Sequence, residues 1–396
     1  MPPFSRTYDL DLSRSYVVFN MSSTVDLKYL SPTSFEDLKT LCNSDYFSHK
    51  SLGFKKYEHA YIVPADFSTT HYHRGVVTQD HQVVSNSLLF EGFEPDWANL
   101  VNYNDAKLCH KTVVYIGFLE PIWGHILTDD LSKLWFLKSN WCQDILNAGG
   151  NLTAIIPWHS KTLEDFFRLA GCNLECVENV KCVTQYDNII IPDNSFYTEP
   201  DGTRKFTKEY EEIVHYITSQ IPIQQSSGKL YFSRSEFSKK TRLWDRREYG
   251  EKVIENAFAQ LGYRIVYPEE NLMLENLKLI RNCEAFASTE GSISHNVLFC
   301  PKNTHVTILR KVNYTNRWQL IINQVAGVNV TYVDAHHSII SHGVLGPFYM
   351  GVTKYLESFA GHKIFHFPYW MKLSFWWYLV QNRRIVKRIL KIFRLI

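Results

Sequence analysis

Residues 264–300 read RIVYPEENLMLENLKLIRNCEAFASTEGSISHNVLFC, and this stretch decides the fold class of the chain. Its apolar pattern predicts a strand at 264–267, a helix from about 272 to 282 and a second strand at 284–287. A run of small residues then leads into a helix that opens near His295. This order of strand, helix, strand, loop and helix indicates a parallel sheet with helices packed on its faces.

The small-residue loop at 288–294, STEGSIS, stands between a strand and a helix. Such loops often bind phosphate, because the backbone can approach closely and the first N–H groups of the helix have no partner. The loop matches neither the dinucleotide GxGxxG pattern nor the phosphate-loop pattern that ends in GKS or GKT. Two interpretations therefore stay open at this point, an anion-binding loop and an ordinary tight turn.

Working outward, the same alternation of strands and helices occurs in two parts of the chain. Strands at 112–117 and 152–157 alternate with helices at 123–137 and 163–170, which predicts one α/β unit over about 105–195. A second unit follows a polar linker at 221–229, with strands at 230–233, 306–309 and 329–333 and helices at 246–261 and 316–325. We therefore predict domains at 1–220 and 229–335, a return segment with a tail at 336–396, and a cleft where the strands of the two domains end.

The basic residues are concentrated at the end of the chain. The net charge is only +2, yet residues 361–396 hold eight Lys and Arg and no acid, which leaves 34 basic against 40 acidic residues elsewhere. The tail repeats basic residues at helical spacing among apolar ones, the pattern of a helix that lies on an anionic membrane surface through residues 370–396. The alternative is a helix packed on the protein with a solvated basic face. The acidic body argues against nucleic acid as a partner.

The eight cysteines form no CxxC pair. The first residues do not resemble a secretory signal, and the sequence shows no apolar run long enough to span a membrane. These observations predict reduced thiols and a cytoplasmic protein, peripheral on the inner face of the cytoplasmic membrane. His71 and His73 are two residues apart, which suits either a metal site on a strand or an ordinary polar surface.

A histidine and a carboxylate stand four residues apart in the segment WGHILTDDLSKLWFL at 123–137. His125 and Asp129 would share one face of the predicted helix, just after a buried strand. A carboxylate that takes a proton, with an imidazole to position it, suits general base catalysis at a cleft. The alternative is a stabilising pair near a helix N-terminus.

Arginine follows the first strand of the second unit, in the sequence YFSR at 231–234. The planar guanidinium of Arg234 can bind two oxygens of a diphosphate, and the loop beyond it carries further basic residues, of which Arg242 is the best candidate.

Six features in this order resemble the carboxyl-terminal half of glycosyltransferase family 61. They are the SR pair, the basic loop with R-L-W, a strand ending in Y-P-E, a helix with E-N, the small-residue loop and N-x-L-F. The segment WGHILTDDLSKLW resembles the amino-terminal signature of that family. The resemblance covers roughly 112–310. It implies a GT-B-type α/β fold, in which two Rossmann-like domains face a cleft, and inverting transfer from a nucleotide sugar without an obligatory metal or other cofactor.

Carried over by position, the resemblance makes Asp129 the base that deprotonates the acceptor, with His125 beside it. It places the following residues at the donor, which is a nucleotide sugar with a UDP sugar as one candidate: Ser233, Arg234, Arg242, Glu269, Glu290, Gly291, Ser292, Ser294, His295 and Asn296. Glu275 matches a further acid of the family. The loop departs from the family pattern HGAGLTN, because Glu290 replaces its first His and Ile293 its second Gly. Glu290 would accept hydrogen bonds from ribose hydroxyls or cap a helix.

These observations predict an inverting glycosyltransferase that acts on a glycan or lipid-linked acceptor in bacterial capsule or lipopolysaccharide assembly. One base for the acceptor and positive charge for the departing diphosphate are what a single displacement needs. Two other classes of protein remain open. One is a non-catalytic sugar- or nucleotide-binding protein of the same fold. The other is a different nucleotide-dependent α/β enzyme such as a dehydrogenase, against which the missing GxGxxG argues.

Overall fold

The structure is a computed structural model that describes residues 17–20, 23–68, 72–89, 96–240, 248–336 and 348–364. Three features of the sequence analysis lie outside these residues. They are His71, Arg242 with the rest of the basic loop at 241–247, and the amphipathic tail at 370–396.

The described residues form ten α-helices: α1 Pro32–Cys42, α2 Trp123–Leu127, α3 Asn140–Asn147, α4 Lys161–Leu169, α5 Lys208–Gln220, α6 Ser235–Lys240, α7 Glu251–Gln260, α8 Met273–Arg281, α9 Arg317–Ala326 and α10 Lys354–Ala360. Strands in the same part of the chain are β1 Val17–Asn20, β2 Ser23–Tyr29, β3 Phe47–Ser48, β4 Phe54–Glu58, β5 Tyr61–Ile62, β6 Val76–Val77, β7 Lys107–Phe118, β8 Asn151–Ile155, β9 Val177–Asn179, β10 Thr184–Pro192, β11 Phe196–Thr198, β12 Arg204–Thr207, β13 Gly228–Phe232, β14 Glu248–Tyr249, β15 Arg264–Val266, β16 Cys283–Thr289, β17 His305–Arg310, β18 Asn329–Asp334 and β19 Phe348–Tyr349. Short 3-10 helices cover Ser85–Ser87, Asp96–Leu100, Asp130–Lys138, Leu174–Cys176, Pro268–Glu270 and Ser294–Phe299.

Two compact units divide the chain, and the first contains residues up to 44, 225–272 and those from 282 onward. Its main sheet has the strand order β1-β2-β18-β17-β16-β13-β15, in which every neighbouring pair except β1 with β2 is parallel. Apolar residues of β13, β16, β17 and β18 pack against α7 and α10 in its core, for example Tyr231 against Phe258. Because β13, β16 and β17 are parallel neighbours, the loops after them meet at one edge of the sheet.

The N-terminal strand β2 is part of this first sheet, where it pairs with β18. The sequence analysis placed residues 1–220 in one domain, whereas residues up to 44 belong to the first unit in the structure. The strand β2 buries Val25 and Leu27 on one face, while alternate residues point away. The helix α1 begins at Pro32, and the hydroxyl of Ser31 accepts the N–H of Ser34 as its N-cap.

The second unit contains residues 45–224 together with α8. Its largest sheet has the order β6-β5-β10-β7-β8-β9, in which β10, β7, β8 and β9 run parallel and the short strands β4, β5 and β6 are antiparallel. The strand β10 is continuous from Thr184 to Pro192, with a bulge between Tyr186 and Asn188. Parallel sheets with helices in both units confirm the α/β class and are compatible with Rossmann-like architecture.

One helix that the sequence predicted as continuous is wrong. The segment 123–137 is not continuous, because α2 ends at Leu127 and a 3-10 helix starts at Asp130. Thr128 stands at the break, where its hydroxyl lies 2.9 Å from the carbonyl of Gly124 and competes with the backbone for it. Tyr210 of α5 fixes the end of α2 by donating its hydroxyl to the carbonyl of Leu127, 2.5 Å away.

Over the described ranges, none of the helices combines the length and the apolar character that crossing a membrane requires.

Candidate active site

In the second unit, three ionisable side chains form a continuous chain of contacts after strand β7. Glu120 lies two residues beyond the end of β7, His125 lies in α2, and Asp129 lies at the break after α2. His125 stands between the two acids, with Nε2 3.5 Å from Oε2 of Glu120 and Nδ1 3.0 Å from Oδ2 of Asp129. The predicted contact between His125 and Asp129 is therefore present, although the helix that was expected to create it is broken.

Asp129 is nearly buried, and two further side chains orient its carboxylate. The hydroxyl of Thr128 lies 2.9 Å from Oδ2, and the guanidinium of Arg204 in β12 lies 3.9 Å from Oδ1. The side chain of Asp129 is 10 % exposed and that of Arg204 is 20 % exposed, so both still reach solvent. Oδ2 is thus held by the side chains of His125 and Thr128, while Oδ1 lies beside the guanidinium of Arg204.

Glu120 anchors the far end of the chain and is almost fully buried. Its Oε1 accepts the hydroxyl of Tyr72 and lies 3.4 Å from Nε2 of His73. Burial alone would raise the pKa of Glu120, but hydrogen bonds from His73 and Tyr72 and the charge of His125 outweigh it and lower that pKa. Glu120 is therefore held as a carboxylate beside His125.

The two acids determine the protonation of His125. Burial favours the neutral ring, yet the hydrogen bond and charge of Asp129, followed by the charge of Glu120, raise the pKa of His125 above its ordinary value. The imidazolium form is stabilised because it can donate one N–H to each carboxylate. Asp129 is in this way held in place by the imidazole of His125.

Asp130, the neighbour of Asp129, faces a small buried space in the same unit. Both of its carboxyl oxygens are buried without a hydrogen-bond partner of ordinary geometry. Burial, followed by the charge of Asp129, raises the pKa of Asp130 well above its usual range, which favours the neutral carboxyl group. The space has a volume of about 20 Å³, enough for one water and too small for a sugar ring.

In the first unit, the basic side chains meet on one buried acid. Glu248 of β14 lies 2.7 Å from Nζ of Lys311 and 3.4 Å from Nε of Arg234, and it accepts the hydroxyl of Thr289 at 3.0 Å. Burial opposes the charge of Glu248, but Lys311 and Arg234 more than offset it and lower its pKa. Two cations therefore share one carboxylate at the edge where β13, β16 and β17 end. Arg234 remains 22 % exposed, with its guanidinium over the ring of Phe237.

The small-residue loop turns most of its side chains inward. Ser294 is fully buried, accepts the N–H of Gly291 and lies 2.5 Å from the side-chain oxygen of Gln319 in α9. His295 contacts the same Gln319 oxygen at 2.8 Å, and Asn296 donates to the carbonyl of Ile293. Gly291 and Ser292 stay half-buried.

The predicted helix at this loop is a 3-10 helix of six residues, whose first N–H is already bonded to Gly291. It offers no anion site of the kind expected, since a short helix has little dipole and few unpaired donors. Gly291 instead approaches Lys311 closely, because a Cβ atom at Gly291 would lie 3.2 Å from Nζ of that residue. Its φ of +133° also favours glycine.

Three other predicted donor residues have contacts of their own. Glu290 is buried, accepts the N–H of Asn316 at the start of α9 at 3.0 Å, and has its pKa raised by burial. Ser233 is buried as well and donates its hydroxyl to Glu255 at 2.8 Å. Both side chains are buried in this arrangement. Glu290 holds the start of α9, as the capping alternative expected, and its contact with ribose stays a prediction. Glu269 lies exposed after β15, at the same edge as Arg234.

A family comparison matches the glycosyltransferase 61 model to residues 123–307, a segment that contains His125, Asp129, Arg234 and the small-residue loop. This segment, which makes up less than half of the chain, is similar to glycosyltransferase family 61. The match confirms the resemblance noted in the sequence over roughly 112–310, and it supports glycosyltransferase activity, which involves a sugar donor and an acceptor. No curated protein matches the chain at a significant level.

Sequence reasoning missed three residues of the candidate site, namely Glu120, Lys311 and Glu248. Glu120 follows a buried strand by two residues, and Lys311 directly follows β17, so the position after a strand was the available signal in both cases. Glu248 gave no such signal, because it follows the basic loop.

Among the described side chains, no group of three or more His, Cys, Asp and Glu is arranged to hold a metal ion.

Proposed function

We propose that the protein is an inverting glycosyltransferase that moves a sugar from a nucleotide-sugar donor to a hydroxyl group of a glycan or glycolipid. The observation that carries the proposal is the placement of Asp129, whose Oδ2 is held by His125 and Thr128 while Oδ1 lies 3.9 Å from the guanidinium of Arg204 and the side chain stays 10 % exposed. A base with one oxygen held and one presented is what abstraction of a proton from an acceptor requires.

In the proposed reaction, Oδ1 of Asp129 takes the proton of the acceptor hydroxyl while the acceptor oxygen bonds to the anomeric carbon. The bond from that carbon to the diphosphate breaks in the same displacement, and the leaving nucleotide keeps the electron pair. His125, which contacts both Asp129 and Glu120, holds the base in position. Inversion at the anomeric carbon follows from a single displacement.

Positive charge for the leaving diphosphate is assigned to Arg234 and Lys311. Both lie at the ends of parallel strands in the first unit, where their side chains share the carboxylate of Glu248. Phosphate oxygens would replace part of the contact between Arg234 and Glu248, since the guanidinium has donors to spare. Two fixed cations allow the transfer to proceed without a metal, which is part of the proposal.

The wider setting is also proposed. Four further parts of the proposal come from the sequence analysis. They are the GT-B arrangement of two domains around a cleft, the UDP-type donor, a place in capsule or lipopolysaccharide assembly, and a peripheral position on the inner face of the cytoplasmic membrane. The concentration of basic residues in 361–396 supports the membrane part, because a basic amphipathic tail would hold the enzyme near a lipid-linked acceptor.

A second candidate function is a nucleotide- or sugar-binding protein that has lost transfer. The inward orientation of the loop side chains favours it, since Ser294 and His295 contact Gln319 of α9 and Asn296 donates to the carbonyl of Ile293. Turnover of any nucleotide sugar would exclude this candidate.

The proposal is tested by a thermal-shift screen of nucleotides and nucleotide sugars, followed by measurement of nucleotide release with and without EDTA. We expect one nucleoside diphosphate and its sugars to raise the melting temperature, and we expect release to be unaffected by EDTA. Activity that EDTA removes and added Mn²⁺ or Mg²⁺ restores would contradict the metal-independent mechanism. The absence of turnover with every donor that binds would favour the binding protein.

A further inference from the structure

We propose that Phe67, Tyr72 and Trp158 form an aromatic platform that binds a sugar ring of the acceptor, beside the pocket that Trp158 lines. This inference rests on the proposed function, because it assigns the acceptor subsite of the same transferase. It also commits to the chemistry of the acceptor near the reacting hydroxyl, a saccharide rather than a lipid or a protein side chain. All three residues belong to the second unit.

The three rings contact one another and remain partly open to solvent. Phe67 and Tyr72 stack with centroids 5.2 Å apart and an angle of 21°, and Trp158 lies 6.2 Å from Tyr72 and 6.4 Å from Phe67. Phe67 is 61 % exposed and Trp158 is 39 % exposed. Large exposed aromatic residues that touch one another mark a binding surface more often than scattered ones do.

The pocket beside the platform has the size and lining of a site for a small polar ligand. Its volume is about 360 Å³, which lies within the usual range for ligand pockets. Trp158 forms part of its wall, and Ser160, Glu164 and Lys181 supply hydroxyl, carboxylate and ammonium groups around it. An aromatic face next to hydrogen-bonding groups matches a pyranose, which has C–H bonds on its ring faces and hydroxyls at its edge.

Topology places this pocket at the functional edge of the sheet. Trp158 follows β8 by three residues, and Glu120 follows β7 by two. Because β7 and β8 are parallel neighbours, both residues lie at the edge where the strands end. Asn179, the last residue of β9, lines the pocket from the next parallel strand.

Direct contacts then connect the platform to the base. Tyr72 stacks on Phe67 with its ring and donates its hydroxyl to Glu120, which contacts His125, which contacts Asp129. A sugar held on the platform is therefore adjacent to the side chains that position the base. An apolar peptide would use the rings but leave the polar wall of the pocket without partners, which is costly for buried groups.

The test is saturation-transfer NMR on the full chain with a panel of methyl glycosides of glucose, galactose, mannose, xylose and N-acetylglucosamine. We expect at least one glycoside to receive saturation at its ring C–H protons. Trp158→Ala should weaken that binding by at least about tenfold, or about 1.4 kcal/mol, while Trp158→Phe should retain most of it. Trp141→Ala is the matched control, because Trp141 is 53 % exposed in the same unit and lies outside the pocket.

Thermal melting of each variant separates lost binding from lost folding, and Trp158→Phe keeps the test decisive if the alanine variant is unstable. The platform is contradicted if none of the glycosides binds, or if Trp158→Ala and Trp141→Ala behave alike. Glycoside binding that survives in a protein without any transfer activity would contradict the proposed function alone. Transfer activity with an acceptor KM that is indifferent to Trp158→Ala would contradict the platform alone.

Discussion

Nε2 of His125 lies 3.5 Å from Oε2 of Glu120, an acid that follows β7 and is almost fully buried. The other ring nitrogen faces Asp129, so the imidazole is held between two carboxylates. A buried acid on the far side of a histidine fixes both the orientation and the charge of the ring. Glu120 is thus a positioning residue for the base, which it does not touch itself.

Replacing Glu120 with Gln should lower the pKa of His125, because the substitution removes one of the two negative charges that stabilise the imidazolium. An NMR titration of the His125 ring protons measures this directly. Asp187→Asn is a matched control, since Asp187 pairs only with the exposed His110 at 3.2 Å. An unchanged His125 pKa in Glu120→Gln would mean that Glu120 does not act through the histidine.

The charge of His125 should also make stability depend on pH in a defined direction. The pKa of His125 is raised in the folded state from an ordinary value of 6.5. Its ion pairs therefore stabilise the fold fully below pH 6.5, and this contribution is lost as the pH rises through the folded pKa.

The difference in unfolding free energy between the wild type and His125→Gln should accordingly be largest at low pH and shrink above it. Urea denaturation from pH 5.5 to 8.5 gives this difference, with the exposed His110→Gln as control. A difference that grows with pH would contradict the assigned charge state.

Arg234→Lys should weaken binding of a nucleoside diphosphate by roughly tenfold, because lysine keeps the charge but loses the planar pair of donors. Isothermal titration with the nucleotide found in the thermal-shift screen measures the change. Arg264→Lys is the control, since Arg264 is exposed at the opposite edge of the same sheet, where β15 begins. Equal affinities of the two variants would remove Arg234 from the donor site.

Sequence reasoning predicted the α/β class and most strands because apolar runs bounded by turn residues are a local signal. It also brought His125 and Asp129 together, since their spacing almost fixes their contact. The break at Thr128 depends on side-chain hydrogen bonds that no periodicity shows. The pairing of β2 with β18 spans about three hundred residues, so local pattern could not reveal it.

The donor residues show the same limit more clearly. Position after a strand selected Arg234 as a candidate, but it could not reveal that Ser233 would turn toward Glu255 or that Glu290 would anchor α9. Those outcomes depend on which buried partners are nearby. Lys311 and Glu248 became visible only when the strands were placed side by side.

The most direct test of the central claim is the turnover of Asp129→Asn with the donor that the wild type uses, compared with the exposed control Asp165→Asn. We predict that Asp129→Asn lowers kcat by at least about 100-fold, the usual contribution of a general base, while the affinity for the nucleotide is unchanged. Asp165→Asn should behave like the wild type. Full activity of Asp129→Asn would contradict the account.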